Sequence, residues 1–289
     1  MKQNRPTIGL ALGSGGAKGL AHIGVFKMLE QYNIPIDYIA GSSIGSLMGA
    51  HYAAFKDTKR LEDLFVHFNM QKGFQLFDPI LKGGFIKGKK FEMFIEDTLE
   101  GAHFDKLQIP FAAVATDFTS AKTVIFTEGN LTKAVRASTS VPPLFQPLTY
   151  KDQLLADGGL SNSVPVDVVR AMGADIVIAV NLDTVYVPNA TLPAITKIPM
   201  HSINILRHNL ALQSTKTADI IISPKGIYQI GLIGWDYFFD AEKTKLVIKE
   251  GEKATEKVIP HIEELLHKKV QKKKGVFGKI ISFIRGLKQ

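Results

Sequence analysis

Three short runs of this chain are almost wholly apolar: Thr7–Leu12 (TIGLAL), Phe111–Thr116 (FAAVAT) and Ile176–Asn181 (IVIAVN). A strand with one wet face alternates apolar and polar residues. A strand covered on both faces reads as an unbroken apolar run. Ile36–Ala40, Thr123–Thr127, Leu154–Ala156 and Ile220–Ser223 read as further strands. Between them, helical spacing covers Lys18–Gln31, Ser43–Phe55, Asn130–Ser138, Pro165–Met172, Ile203–Gln213 and Ala241–Leu266. In Pro165–Met172 the proline stands at the start, where a missing N–H costs least. Strands separated by helices imply a three-layer α/β/α domain around a mostly parallel central sheet. Pro188–Pro199 reads as a long surface loop.

The 289 residues, 45% of them hydrophobic, suffice for one large core. No cysteine is present, which excludes disulfides, thiolate catalysis and cysteine-based zinc sites. The N-terminal stretch lacks the apolar core and cleavage site of a signal peptide. No run approaches the ~18 apolar residues of a membrane span. A cytoplasmic location is therefore expected.

The formal charge of +8 is unevenly placed. Residues 268–289 hold eight basic side chains and no Asp or Glu, so the rest of the chain balances to zero. Val276, Phe277, Ile280, Ile281, Phe283, Ile284 and Leu287 fall on one side of a helix there, opposite Lys279, Ser282, Arg285 and Lys288. That is the pattern of an interfacial helix beside a polybasic run, suited to the inner face of an anionic membrane. The division expected is residues 1–267 as one domain and 268–289 as a basic amphipathic tail. With no nucleic-acid-binding motif to support the basic residues, a nucleic-acid partner is not expected.

Three short motifs can carry chemistry. Gly13-Ser14-Gly15-Gly16-Ala17-Lys18-Gly19 follows a strand and opens a helix. Its backbone N–H groups at a helix N-terminus can receive an anion. It lacks the Lys-Ser/Thr pair of a Walker loop, and Lys18 stands where a dinucleotide loop needs its third glycine. Gly41-Ser42-Ser43-Ile44-Gly45 lies between a strand and a helix, the setting of a nucleophile elbow. The spacing of Gly41 and Gly45 selects Ser43 over Ser42. Asp157-Gly158-Gly159 follows a strand end, where α/β sheets place functional groups, though an Asp-Gly turn reads the same way. Of eight histidines, four come after Asp157; His261 and His267 fall on an amphipathic helix, which leaves His201 and His208 as the candidates for a Ser…Asp…His order.

In this order the motifs resemble the patatin-like phospholipases, in the bacterial branch related to neuropathy-target-esterase catalytic domains. The likeness runs from about Pro6 to His261. It includes GLALGSGGAKGLAHIGVFKMLE, GSSIG, RASTSVPPLFQPL (Arg136–Leu148) and LLADGGLSNSVPVDVVRAMGADIVIAVNLD (Leu154–Asp183). The resemblance implies hydrolysis of phospholipid or lysophospholipid acyl esters by a Ser43–Asp157 dyad. Gly15 and Gly16, helped by Ile44, would supply the oxyanion hole, and Lys18 would brace the loop. No cofactor or metal is implied. Ser14 departs from the family's run of glycines, which puts the backbone geometry of that loop in question. A lipid acyltransferase would use the same acyl-enzyme; a membrane-associated regulator with a vestigial site is the non-enzymatic alternative. Ile227–Phe239 (IYQIGLIGWDYFF) is a second apolar stretch that would line an acyl pocket, cover it, or pack in the core.

Overall fold

A computed structural model describes residues 5–80, 82–184, 198–230 and 234–270. Its centre is an eight-stranded sheet. β1 (Ile8–Leu12) pairs in parallel with β2 (Tyr38–Ser42) and β7 (Ile176–Val180). β2 pairs in parallel with β3 (Phe111–Asp117), and β7 with β8 (Ile220–Ile222). β4 (Thr123–Phe126), β5 (Leu148–Tyr150) and β6 (Gln153–Asp157) join in antiparallel fashion. The sheet is thus mixed, with its parallel strands at the centre. β5 is the one strand that apolar patterning does not mark.

The register explains why β1 and β7 are apolar throughout. Ile8, Leu10 and Leu12 point to one face and pack on α1 (Ala21–Gln31) and α2 (Ile44–Phe55). On the same face lies α10 (Ala241–Glu256). Ala11 and Ala179 point to the other face, against α7 (Val166–Ala171) and α8 (Ile198–Ser214). Small residues on that side let α7 approach closely; a Cβ on Gly9 would lie 2.0 Å from Val169. Side chains bury on both faces, so no position of these strands tolerates a charge.

The segment read as one helix from Lys18 begins as a 3-10 turn, Gly16–Leu20, before α1. The helix expected at Ala241–Leu266 is two, α10 and a second over residues 259–270, which carries Lys268 and Lys269 beyond the expected end of the domain. The rest of the tail, 271–289, lies outside the described residues, as does most of the loop expected at Pro188–Pro199. Between α2 and β3 stand three helices to which the sequence reading assigns nothing: α3 (Thr58–Val66), α4 (Met70–Gln75) and α5 (Lys89–Thr98). Asp57 and Asn69 cap the first two by accepting from the N–H of Arg60 and Lys72. α6 (Leu131–Ser138) is likewise capped by Asn130. Among the described residues no helix is long and apolar enough to cross a membrane.

Candidate active site

β3 organises the site. Val114 pairs with Ser42 and Ile125, while Ala115 pairs with Val124 and Asp157. β4 holds one edge of β3 through both positions, so β2 and β6 share the other edge, end to end. Their last residues therefore meet. Ser43, one residue past the end of β2, donates its hydroxyl to Asp157 Oδ2 at 2.5 Å.

Ser43 turns the chain from β2 into α2 with φ 56° and ψ −125°, a region L-residues rarely occupy. The glycines on either side make the turn possible. A Cβ on Gly41 would lie 2.3 Å from Gly45 O, and one on Gly45 would lie 2.3 Å from Leu12 O. The N–H of Ser43 donates to Ser138 Oγ at 3.0 Å, and that hydroxyl donates to Val114 O at 2.5 Å. Ser138 on α6 thus ties the elbow to β3. Sequence reasoning gave it no role, although it lies within the RASTSVPP stretch.

Asp157 is buried and fully engaged. Oδ1 accepts from Gly159 N–H at 2.8 Å, its own N–H donates to Ser140 O at 3.0 Å, and its carbonyl accepts from Thr116 Oγ1 at 2.8 Å. Burial raises its pKa to about 6, against the opposing pull of the Ser43 hydroxyl, the Gly159 N–H and the Arg207 charge. Gly158 is pressed onto β3: a Cβ there would lie 2.1 Å from Val114 O. Among the described residues no histidine hydrogen-bonds to Ser43 or Asp157. His208 Nδ1 lies 2.5 Å from Asp183 O, bonded to that backbone rather than to the carboxylate.

The glycine-rich loop lies beside the elbow. Gly13 N–H donates to Val180 O, Ser14 N–H to Ser163 O and Lys18 N–H to Gly15 O. Gly16 takes φ 57°, whereas Ser14 keeps an ordinary backbone and bonds Ser163 Oγ at 2.7 Å. The serine is thus accommodated by a side-chain partner rather than by strain. No side chain caps the 3-10 turn at Gly15 or α2 at Ser43. The first-turn amides of a helix have no acceptor within it, and among the described residues the N–H groups of Gly15, Gly16 and Ile44 donate to no backbone carbonyl outside their elements. Gly16, Ser43 and Ile44 line one cavity together. Ala17 and Gly19 are buried within the turn behind them.

Two residues hold this loop from behind. Lys18 Nζ pairs with Asp183 Oδ1 at 2.8 Å, and Arg207 Nη2 takes Asp183 Oδ2 at 2.7 Å. Burial pushes the Asp183 carboxyl up, but the two cations more than offset it and hold it below its usual range. His22 Nε2 donates to Gly13 O at 2.9 Å; burial lowers its pKa to about 4, so the ring stays neutral. The only hint of His22 in the sequence is its place in the helix that the loop opens. His51 is buried on α2, 3.1 Å from Thr98 Oγ1.

The cavity beside Ser43 has a volume of about 130 Å³. Its wall is apolar: Leu47 of α2, Phe65 of α3, Leu76 and Phe77 at the end of α4, Phe91 and Phe94 of α5. Phe145 and Phe238 complete it. Phe238 comes from the apolar Ile227–Phe239 stretch, which also sends Phe239 against Gly73 and Phe68 and buries Ile227 and Ile230. That stretch therefore serves both pocket and core; residues 231–233 lie outside the described set. Among the described residues no cluster of His, Asp and Glu could hold a metal ion.

A family model described as patatin-like phospholipase matches residues 10–170, more than half of the chain. The chain belongs to the patatin-like phospholipases. An NTE family protein of Mycobacterium tuberculosis is 38% identical over 183 residues, 62% of this chain and 49% of that protein. Lysophospholipase NTE1 of Mycosarcoma maydis is 33% identical over 191 residues, 62% of this chain and 10% of that protein. The match thus spans about half the length of the mycobacterial relative and far less of the fungal one. Among solved structures, VipD from Legionella pneumophila superposes with a TM-score of 0.49 at 12% identity, covering 89% of this chain and 67% of that one. The patatin-like match takes in the glycine-rich loop after its first strand, the elbow, and the acid at the end of β6.

Proposed function

We propose that this chain is a serine carboxylic-ester hydrolase acting on phospholipids or lysophospholipids. The observation that carries the reading is the Ser43 Oγ to Asp157 Oδ2 hydrogen bond of 2.5 Å at the end of an apolar cavity. An acyl chain would fill the cavity and set its ester carbonyl against Ser43. The name of the fungal relative, a lysophospholipase, points to the same substrate class.

The reaction would run in two halves. As Ser43 Oγ bonds to the carbonyl carbon, its proton passes to Asp157 Oδ2. The carbonyl oxygen becomes an oxyanion, received by the N–H groups of Gly15, Gly16 and Ile44; each such donor contributes about 2.7–4 kcal/mol in comparable enzymes. Collapse breaks the ester C–O bond, and the departing alcohol oxygen takes the proton from Asp157. Water then repeats the sequence on the acyl-enzyme, with Asp157 again as base, and releases the fatty acid. A carboxylate of ordinary pKa is a weak base toward a hydroxyl; the raised pKa of Asp157 narrows that mismatch.

Residues 268–289 would add a peripheral contact with the inner, anionic face of a membrane. The test of the substrate class is product analysis after incubation with defined phospholipids and lysophospholipids. Release of free fatty acid and the matching deacylated glycerophospholipid is expected. Absence of fatty acid from every lipid in the panel would contradict the reading.

A further inference from the structure

The whole-chain charge hides a local imbalance. Residues 68–91, from the end of α3 to the start of α5, contain five lysines and one acid, Asp78. That acid is turned inward. Its carboxylate accepts from the N–H groups of Gly88, Lys89 and Lys90 at 2.7, 2.7 and 3.1 Å, and so caps α5. Lys89 pairs with Glu92. Lys82 and Lys87 are exposed and form no ion pair among the described residues. They line one side of a cleft of about 620 Å³ next to the hairpin that follows α4.

The same segment exposes large apolar side chains. α4 straddles the cavity: Gly73, Leu76 and Phe77 line it. Met70 and Phe74, four residues apart and so on one side of the helix, are 52% and 67% exposed. Phe85, at 62% exposure, stands on the hairpin. Its position is fixed by backbone bonds. Phe85 O accepts from Ile80 N–H at 3.0 Å, and its own N–H reaches Leu144 O at 3.1 Å and Pro143 O at 3.2 Å. Lys87 N–H donates to Asp78 O at 2.9 Å. The hairpin is thus braced against the 141–146 wall of the cavity while Phe85 faces solvent.

Exposed aromatic and Met side chains among lysines are the composition of a surface that enters a membrane interface, the apolar groups below the headgroups and the cations among them. We infer that the α4–hairpin face, through the exposed Met70, Phe74 and Phe85 and the exposed Lys72, Lys82 and Lys87 of the same segment, docks on an anionic lipid bilayer and sets the mouth of the cavity against it. This deepens the proposed function and rests on its reading of the cavity as a lipid site. It adds a contact distinct from the tail. Docking here would let an acyl chain pass from bilayer to cavity along the Gly73–Phe77 side of α4 without crossing water. Within residues 68–91 the exposed charged side chains are all lysines, the sign that favours anionic lipid.

The absence of cysteine allows a direct test in the full chain. Phe74→Cys and Phe85→Cys, each labelled with an environment-sensitive fluorophore, are mixed with vesicles of phosphatidylcholine and phosphatidylglycerol. Ala171→Cys, exposed on α7 across the sheet, is the control. Labels at 74 and 85 should brighten, shift to the blue and be quenched by brominated acyl chains, and the label at 171 should not. Lys82→Ala combined with Lys87→Ala should lower vesicle partitioning about tenfold and leave turnover of a soluble ester unchanged. The fluorescence readout needs no turnover, so loss of docking and loss of hydrolysis are seen separately. Sedimentation with the vesicles while both labels stay unchanged would assign binding to another surface and overturn the inference. Failure to bind these vesicles would overturn it as well.

Discussion

Asp157 stands one register position beyond Ser42 on the same edge of β3, Ser42 opposite Val114 and Asp157 opposite Ala115. Two strands end face to face, and residues 114 apart in sequence come within 2.5 Å. The pairing of Ser43 with Asp157 is therefore a property of sheet register. A slip of one position in β6 would turn the carboxylate to the other face.

Acid sensitivity follows from the environment of Asp157. Burial raises its pKa to about 6. A general base acts in its ionised form, so kcat/KM for a soluble ester should be full above about pH 6 and fall about tenfold per pH unit below it. A pH–rate profile measures this; one that stays flat to about pH 4 would show that no carboxylate in this setting is the base.

The same shift has a cost in stability. A carboxyl whose folded pKa lies above its unfolded value favours the folded state only while protonated. Its contribution is fully present below about pH 4 and is lost as pH rises through about 6. Asp157→Asn removes that dependence. Whatever the fixed effect of the replacement, the variant should gain on the native chain by up to about 3 kcal/mol between pH 4 and pH 7. Urea unfolding at several pH values reads this difference. A difference that stays constant with pH would contradict the raised pKa.

Strain at the elbow gives a second stability signature. Ser43 holds φ 56° and ψ −125°, which costs a non-glycine residue about 1–3 kcal/mol. Ser43→Ala and Ser43→Gly both lose the bond to Asp157, but only the glycine relieves the strain. Thermal unfolding should find the glycine variant the more stable by about 1 kcal/mol, the reverse of the usual order. Both should be inactive.

Leu47 lies one helical turn after Ser43 on α2 and lines the cavity. Leu47→Trp should shorten the space for an acyl chain. The ratio of kcat/KM for a decanoyl ester to that for an acetyl ester should fall tenfold or more, since each methylene in an apolar pocket is worth about 1–3 kcal/mol. An unchanged ratio would place the acyl chain elsewhere.

Much of this architecture is legible in the sequence, for a physical reason. Strands buried on both faces cannot hold a charge, so β1, β3 and β7 announce themselves, and Ser43 is marked by glycines that its turn cannot replace. Asp157 is different. Its Asp-Gly-Gly motif is locally indistinguishable from a turn, and only resemblance to the family singles it out. Lys18 is visible as the loop's basic residue, but its partner Asp183 lies 165 residues away. The helices that wall the cavity are the least legible. α4, MQKGFQ, is too short for a period and exposes Met70 and Phe74 where a core helix would carry polar residues. The neutrality of the chain outside its tail also conceals the lysines around that helix.

The most direct test of the Ser43–Asp157 pair is covalent labelling with a fluorophosphonate, mapped by peptide mass spectrometry, in the native chain, Asp157→Asn and His208→Asn. Label should sit on Ser43 in the native chain and in His208→Asn, and be lost or slowed at least about a hundredfold in Asp157→Asn. Label on another serine, or undiminished labelling in Asp157→Asn with loss in His208→Asn, would contradict a nucleophile activated by Asp157.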